Sequence, residues 1–581
     1  MASVDEPLKD YETYFKDHHA RNVSEYFEEL VAASKVDEQE NIKLIAEIAD
    51  VDARKSKGAS SRTWLRVARI SSIVVASGLV ALAVYLGGLH YLWTLISVAL
   101  VVLIFIKINP AVTSLNDVVA KLEKEHNEKT TASWSQMEPL NSLYSWATAR
   151  KLFMKSFPMI ELDEHMSAAK LQDLQKTYGL AKAFNDYRSV LSTQSGSLNG
   201  NPFVFAKYLH HWIGSKTYTG TLTIYWTEET TNAQGDNVTV QRSQVLVATL
   251  NKPFPEFTPL TTLIYGHEAA PNLSFSRSPS SLSGLEDGLL NNWRKDHAIK
   301  KVEKAARKGV KSGNSEITLM ANREFEALFN AINRDNEIEF RLLFTPLAQQ
   351  EMVALMNDKT QGFGDDFSFS KSGTVNFIEG NHLANASLES DVRMFYSNDL
   401  VSARAFFNNW HNTYFRIMYF AFAPLLTIPL YQEKRTLPVA KDSGTDLAFW
   451  EHEVLANYMG EAYFAHPESV TTNLLKTTVG ARRGDATEVT VTAFGYQGFP
   501  RLDFVPTLGG DGDIHAVPVH WIEYLPVEKD SSILVGVTAS DDDEKASESL
   551  QSSWSKVVTQ TGASPEAVFA RGVLGTVLLR R

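Results

Sequence analysis

A long stretch without fixed charge, early in the chain, constrains the fold more than any other feature of this sequence. Between Ile70 and Ile106 there is no Asp, Glu, Lys or Arg. This run of about 37 residues is too long for one buried helix of a soluble domain, and a single membrane span needs only roughly 20 apolar residues. The sequence therefore predicts two short membrane spans, back to back, within residues 62–109. The alternative is a helical hairpin buried inside a large soluble protein.

Glycine and aromatic residues near the middle of this run indicate where the chain reverses. Gly87 and Gly88 tolerate the backbone angles that a tight turn requires. Aromatic side chains flank the turn, as they do at a membrane interface. These side chains are Tyr85, Tyr91 and Trp93. The pattern places the two helices at roughly 64–86 and 90–108.

The charges on either side of the hairpin predict its orientation. The short linker between the two helices carries no fixed charge, whereas both outer flanks are rich in basic residues. The basic residues are Arg54, Lys55, Lys57, Arg62, Arg66 and Arg69 before the hairpin, and Lys107, Lys121 and Lys124 after it. Because basic flanks favour the inner side of a membrane, we expect a two-span protein of the cell membrane with both termini in the cytoplasm.

Length, charge and cysteine content restrict the classes of protein to which this chain can belong. A chain of 581 residues is too long for one core, so we expect two or three folding units outside the membrane. The net charge of -12 argues against nucleic acid as a partner. The absence of cysteine excludes disulfides, thiolate metal sites and cysteine nucleophiles.

Hydrophobic periodicity predicts an α+β fold with an antiparallel sheet. Helical spacing dominates up to about Ser195, and period-two alternation with β-branched and aromatic residues follows at 203–205, 217–226 and 240–250. This change favours a helical stalk that leads into an antiparallel meander. The predicted divisions are a helical extension (1–61), the transmembrane hairpin (62–109), the helical stalk (110–195), an α+β body (196–435) and a strand-rich C-terminal α+β region (436–581).

A basic amphipathic helix is the main charged feature of the body. The segment 293–311 contains eight basic residues and only two acidic ones, Asp296 and Glu303. Its apolar residues recur three or four positions apart. The basic residues are Arg294, Lys295, Lys300, Lys301, Lys304, Arg307, Lys308 and Lys311. In a protein held at a bilayer, such a helix could dock on anionic lipid or on a protein partner. A solvated helix face and nucleic-acid contact are the alternatives.

A second apolar segment, at 414–431, is ambiguous. It has only about 15 apolar residues from Ile417 onwards and is interrupted by Pro424 and Pro429. This is short for a membrane span, so the pattern favours a buried or re-entrant segment. A third span is the alternative, and it would move the C-terminal region across the membrane.

One passage in the body resembles a known family. It reads FEALFNAINRDNEIEFRLLFTPLAQQEMVALM from Phe325, followed by FSFSKSGTVNFIEG from Phe367. With the hairpin, the stalk and the meander, this passage resembles a bacterial membrane family of unknown function, DUF three-one-three-seven, over roughly residues 64–400. The resemblance implies a two-span anchor and an α+β domain. Genes of that family often lie beside genes of LemA-type membrane proteins, so the resemblance also implies a LemA-like partner. The chain departs from the family in its N-terminal extension and its long C-terminal region, and no catalytic motif carries over.

The same passage carries local structural signals. Thr345 and Pro346 fit the N-cap and the first position of an apolar helix, after an expected strand. Arg341 is placed to pair with Glu337 or Glu339. The alternating stretches on either side of 372–373 predict a β-hairpin.

Motifs that would indicate catalysis or a cofactor are missing from the sequence. It has no phosphate loop, dinucleotide fingerprint, zinc-protease helix or nucleophile elbow, and we predict no cofactor. The nearest candidate is a helix with His452 and Glu453, although Ala456 stands where a second zinc ligand would be needed. His466 lies beyond the expected helix end. These three residues would carry the alternative function, a membrane-tethered hydrolase.

Two further patterns suggest metal sites only weakly. His210 and His211 are adjacent, so on a strand they face opposite ways, which favours structural roles over a shared metal. The segment 509–513 is rich in Gly and Asp, but Ile522 stands where a calcium loop needs its last ligand, so a hairpin turn is favoured.

Together these patterns predict a non-enzymatic binding or scaffold protein, anchored in the membrane and facing the cytoplasm. Its body would bind a protein partner, or the inner leaflet through residues 294–311.

Overall fold

The chain forms two compact units. The first contains Met1–His19, Trp146–Ser390 and Thr413–Arg581, and the second contains Ala20–Ser145 and Asp391–Asn412. The computed structural model describes residues 4–86, 90–103, 106–107, 109–231, 235–283, 297, 300, 304, 320–384, 386, 391–436, 446–483, 486–537, 563–570 and 573–578.

Helices make up the second unit and much of the first. The α-helices are α1 (Pro7–Asp10), α2 (Lys16–Ser34), α3 (Glu38–Leu86), α4 (His90–Leu103), α5 (Asn109–Asn141), α6 (Thr148–Ser156), α7 (Ala168–Lys176), α8 (Arg323–Phe329), α9 (Glu337–Leu343), α10 (Pro346–Asn357), α11 (Asn381–Ala384), α12 (Leu400–Leu426), α13 (Phe449–Met459) and α14 (Glu461–Phe464). A π-helical turn (Tyr11–Phe15) joins α1 to α2.

All described strands belong to the first unit. They are β1 (Ile160–Leu162), β2 (Arg188–Leu198), β3 (Asn201–Thr231), β4 (Asn237–Gly266), β5 (Ser274–Arg277), β6 (Phe367–Ser372), β7 (Val375–Gly380), β8 (Leu474–Arg483), β9 (Ala486–Leu508), β10 (Ile514–Val537), β11 (Ala563–Ala570) and β12 (Val573–Leu578). They form a seven-stranded sheet in the order β1-β2-β3-β4-β7-β6-β5 and a five-stranded sheet in the order β11-β12-β10-β9-β8. The described pairings are antiparallel, so the prediction of an α+β fold with antiparallel sheets is confirmed.

The second unit is built on two long antiparallel helices, α3 and α5. Ion pairs join them from Glu47 to Lys129 (2.7 Å) and from Lys55 to Glu123 (3.3 Å). As the residue number increases along α3, the residue number of its partner on α5 decreases, as antiparallel packing requires. α3 is continuous through residue 61, the predicted boundary between the helical extension and the hairpin.

The predicted transmembrane hairpin is wrong. Among the described residues, no helix has both the length and the apolar character that a bilayer crossing requires. In α3, charged residues continue to Arg69, and the part from Ile70 to Leu86 rises only about 26 Å at 1.5 Å per residue. α4 has 14 residues and rises about 21 Å, against roughly 30 Å of hydrocarbon. The finding overturns the two-span anchor at 62–109, and with it the multi-pass cell-membrane location and the sidedness predicted from it.

Two unusually long hairpins dominate the first unit. In the first arm, β3 pairs with β4 from Phe203↔Tyr265 to Thr231↔Asn237, and the 31 residues of β3 extend about 100 Å at roughly 3.3 Å each. In the second arm, β9 pairs with β10 from Ala486↔Gly536 to Leu508↔Ile514. The segment 509–513 forms the turn of the second arm, which confirms the hairpin interpretation.

The two arms pack face to face. Ile224, Leu246 and Ala248 of the first arm form a buried cluster with Val517 and Val519 of the second. Their spacing of two residues along each strand puts them on one face of each hairpin. The contact is close at Gly220, where a Cβ atom would lie 2.0 Å from the Pro518 carbonyl oxygen. Only glycine fits there without a shift of the backbone.

The passage that carries the family resemblance forms a compact part of the first unit. Thr345 caps α10 by accepting a hydrogen bond from the Ala348 amide, and Pro346 is the first helical residue, as predicted. Arg341 pairs with Glu337 at 2.9 Å. The hairpin of β6 and β7 is also confirmed. The expected strand before Thr345 is wrong, because residues 337–343 form helix α9 with its own Asn336 cap.

The ambiguous segment at 414–431 is buried. It forms the end of α12 and a 3-10 turn, and Tyr419, Phe422 and Leu425 have no exposed surface. The Tyr431 hydroxyl donates a hydrogen bond to the Asn376 side chain (2.6 Å). The buried interpretation is therefore confirmed for this segment.

A fully buried ion pair fixes β5 to the loop before β6. Arg277 and Asp365 approach to 2.6 Å, and their side chains are 0% and 2% exposed. The second carboxylate oxygen of Asp365 accepts hydrogen bonds from the Ser280 amide and the Ser283 hydroxyl, both at 2.7 Å. Such a pair is costly to break, because one charge would stay buried without its partner.

The contact between the arms predicts a large effect of a small substitution. Gly220→Ala should lower the free energy of unfolding by about 1–3 kcal/mol, because the added methyl group overlaps the Pro518 carbonyl. Thr221→Val is the matched control, since this neighbouring side chain lies on the exposed face. Urea denaturation measures both. Equal stabilities of the two variants would contradict the arm packing.

The buried pair gives a second prediction. Asp365→Ala should destabilise the protein by about 3–5 kcal/mol, because Arg277 loses its only carboxylate among the described contacts. Glu523→Ala removes the partner of Arg501 from a pair that is 53% and 36% exposed, and it should cost less than about 1 kcal/mol. Thermal and urea unfolding compare the two. A loss for Asp365→Ala no larger than for Glu523→Ala would refute the assignment.

Candidate ligand-binding cavity

A cavity of about 520 Å³ lies in the first unit where the two sheets meet. This volume is within the range of small-molecule sites in proteins, which are mostly apolar with a few placed polar groups. The lining residues come from the segment before β2, from β3, β4 and β8, and from the base of the second arm. They are Asp186, Tyr187, His211, Phe257, Leu474, Lys476, Phe494, Gly495, Tyr496, Pro526, Val527 and Glu528.

Strand alternation places the aromatic wall. Phe494 and Tyr496 are two residues apart on β9, so their side chains share a face. Between them, Gly495 allows a close approach, because a Cβ atom there would lie 2.2 Å from the Asn473 side-chain oxygen. Across the first arm, His211 stands opposite Phe257 in the ladder. The base of each arm therefore contributes one side of the cavity.

Ring contacts hold the His211 imidazole within this wall. Its centroid lies 4.9 Å from that of Phe257 and 5.4 Å from that of Tyr496. The His211 amide donates a hydrogen bond to the Tyr187 carbonyl (3.0 Å), which fixes the segment before β2. Burial, and then the neighbouring His210, lower the pKa of His211 below its usual 6.5. At neutral pH the ring is uncharged and contributes an aromatic surface.

Lys476 carries the one ammonium group among the described residues of the lining, and other protein groups hold it. The Lys476 Nζ atom lies 3.0 Å from Glu453 and donates hydrogen bonds to the carbonyls of Asn185 and Arg188, both at 2.7 Å. Burial lowers the pKa of Lys476 and raises the pKa of Glu453. The pair has no net charge, whichever partner holds the shared proton.

Two carboxylates complete the lining. Asp186 and Glu528 belong to exposed residues at the edge of the cavity. Glu528 stands opposite Phe494 in the ladder of the second arm, so the carboxylate and the ring share a face. The lining thus combines aromatic surface with negative charge.

The predicted basic site lies mostly outside the described residues. Arg294, Lys295, Lys301, Arg307, Lys308 and Lys311 are not among them. Lys300 and Lys304 are described, and both are exposed. Contact of this segment with anionic lipid or a protein partner stays a prediction.

The residues of the hydrolase alternative have structural contacts. Glu453 is 0% exposed, and its oxygens accept hydrogen bonds from the Val190 amide (2.9 Å) and the Asn185 side chain (3.0 Å), besides the contact with Lys476. His452 is 4% exposed. His466 lies after α14 and accepts a hydrogen bond from the Glu468 amide. This arrangement leaves Glu453 without access to a substrate, and hydrolysis remains a prediction from the sequence alone.

No cluster suited to a metal ion occurs in the part of the chain that the structure describes. The criterion is three or more His, Cys, Asp or Glu side chains that could share one ion.

The second arm also exposes apolar side chains outside the cavity. They are Leu502, Phe504, Leu508, Ile514 and Ile522, with exposed fractions from 37% to 71%. We call these five residues the outer arm face. Nothing in the described residues shows what covers it, whereas residues from several strands surround the cavity.

No protein-family model, curated protein or solved structure matches this chain. The resemblance to DUF three-one-three-seven, and the LemA-like partner that it implies, stay predictions.

Sequence reasoning missed every residue that lines the cavity except His211, to which it gave a structural role. One local signal was available in Phe494-Gly495-Tyr496, where two aromatic residues alternate with glycine. The walls that face these rings lie far away in sequence, at Tyr187 and Phe257. Their convergence depends on how the two sheets pack.

The buried histidine predicts a specific pH dependence. Burial lowers the pKa of His452 to about 4, below the 6.5 of an unfolded chain. Between these values the unfolded state binds more protons, so stability falls as the pH drops from about 6.5 towards 4. His452→Gln should therefore remove about 2–3 kcal/mol of the stability loss between pH 7 and pH 4.5.

Urea denaturation at the two pH values measures this difference. His267, whose pKa burial also lowers to about 4, leaves a remaining acid sensitivity in the variant. His520→Gln, at an exposed position, is the matched control and should keep the full loss. An unchanged loss in His452→Gln would show that His452 does not titrate as described.

Proposed function

We propose that this chain is a non-enzymatic binding protein whose ligand is a small organic molecule held in the cavity at the base of the two arms. The observation that carries the proposal is the aromatic cavity of about 520 Å³, with Tyr187, Phe257, Phe494 and Tyr496 in its lining. Concave apolar surface of this kind favours transfer of a ligand's apolar body from water.

The polar groups around the cavity support binding more than catalysis. A general acid or base must reach a proton on the substrate. Lys476 and Glu453 are instead bound to each other and to backbone groups. The His211 ring is packed between Phe257 and Tyr496. These three side chains shape the site.

Binding of a protein partner, which the sequence predicts, is compatible with this proposal. A ligand in the cavity would contact the base of both arms and could stabilise their arrangement, so ligand and partner binding need not compete.

The experiment uses Nile red, a neutral aromatic dye whose fluorescence rises in apolar surroundings. The full chain should bind it saturably, and Phe494→Ala should weaken binding about 5- to 30-fold, because removal of a ring from an apolar contact costs about 1–2 kcal/mol. Fluorescence titration gives both dissociation constants.

The matched control is Phe504→Ala. This residue lies on the same strand, ten positions further on, in the outer arm face. Its removal should leave the saturable binding unchanged. An equal loss in both variants, or dye binding that does not saturate, would refute the cavity as the site.

A further inference from the structure

We propose that the cavity selects organic cations, which are molecules with an apolar or aromatic body and an ammonium group. This inference rests on the proposed function and deepens it by naming the class of ligand. Its basis is the charge and the ring content of the lining, taken residue by residue.

Two carboxylates determine the sign of the charge in the lining. Asp186 and Glu528 are acidic residues, and both belong to the lining. The single lysine of the lining, Lys476, is matched by Glu453. The sum over the lining and this partner is therefore negative, and it attracts a cation and repels an anion.

Two basic side chains lie near the lining without belonging to it, and other protein groups hold each of them. Arg188 packs over the Phe184 and Tyr208 rings, with distances of 4.3 Å and 5.0 Å to their centroids, and it donates a hydrogen bond to the Phe184 carbonyl. Lys529 follows Glu528 on β10, so strand alternation puts it on the opposite face, where it donates to the Ala465 carbonyl (3.2 Å).

The aromatic rings of the lining also attract a cation. The faces of Phe and Tyr rings carry partial negative charge, so they attract a cation within about 6 Å of the ring centroid. Four such rings line the cavity, and the neutral His211 ring joins them. Because ring surface is also apolar, the same walls accept the body of an organic cation, whereas a small hydrated metal ion would gain little there.

The test displaces Nile red from the full chain with three compounds that share one body. These are 4-phenylbutyltrimethylammonium, 4-phenylbutanol and 4-phenylbutyrate, which are cationic, neutral and anionic. We expect the cation to bind about tenfold more tightly than the alcohol, and the anion to bind most weakly. Raising the salt concentration should reduce the advantage of the cation.

Two variants assign the preference to the named carboxylates. Asp186→Asn and Glu528→Gln keep the shape of exposed side chains, and each should weaken cation binding about 3- to 10-fold while alcohol binding stays unchanged. Glu523→Gln, also on β10 but outside the lining, is the control and should change neither.

The outcomes separate the two proposals. If the alcohol or the anion binds as tightly as the cation, or if the carboxylate variants lose alcohol binding equally, the cation inference is overturned and the cavity remains a binding site. If neither Nile red nor any of the three compounds binds saturably, the proposed function itself is refuted.

Discussion

The buried carboxylate of Glu453 joins the parts of the first unit on which the cavity depends. Glu453 extends from α13, accepts a hydrogen bond from the Val190 amide of β2 and pairs with Lys476 of β8. One side chain therefore ties a helix to one strand of each sheet. Removal of water from this group is costly unless every contact is made, so the bonds enforce one arrangement of the two sheets. The lysine that completes the pair also lines the cavity.

The long arms follow from the same arrangement. A two-stranded ribbon alone is marginally stable in water, because only one partner strand covers each strand. Here the apolar face of the first arm packs on that of the second, around Ile224 and Val519, and Gly220 permits the close approach. Each arm thus covers an apolar face of the other arm. At the bases of the arms, the space between them forms the cavity that Phe257 and Tyr496 line.

The chemistry of the cavity depends on which charges are matched inside the protein. Lys476 alone would make the site attractive to anions, but its pairing with Glu453 removes that preference. Asp186 and Glu528 then determine the sign of the local potential. Residue types in the lining would be a poor guide to the ligand without knowledge of these partners, because a matched ion pair adds polarity without adding net charge.

Local patterns in the sequence determined the secondary structure of much of the described chain. The Thr345 cap and the turn at 509–513 depend on neighbouring residues, and each has the predicted form. The alternating stretches 203–205 and 217–226 are also strand, although they belong to one continuous strand, β3. The same reasoning failed before Thr345, where the cap of Asn336 starts a helix in place of a strand. It also failed at 62–109, where lack of charge was taken for a pair of membrane spans and the described helices are too short.

Only the tertiary structure decided where the candidate site lies. The residues of its lining are scattered through the sequence between Asp186 and Glu528. No periodic signal links residues that are so far apart in sequence. The roles of Glu453 and Lys476 were equally hidden, because an ion pair between two elements depends on how those elements pack. Sequence periodicity reports which face of a strand is apolar, and packing alone determines which other face it meets.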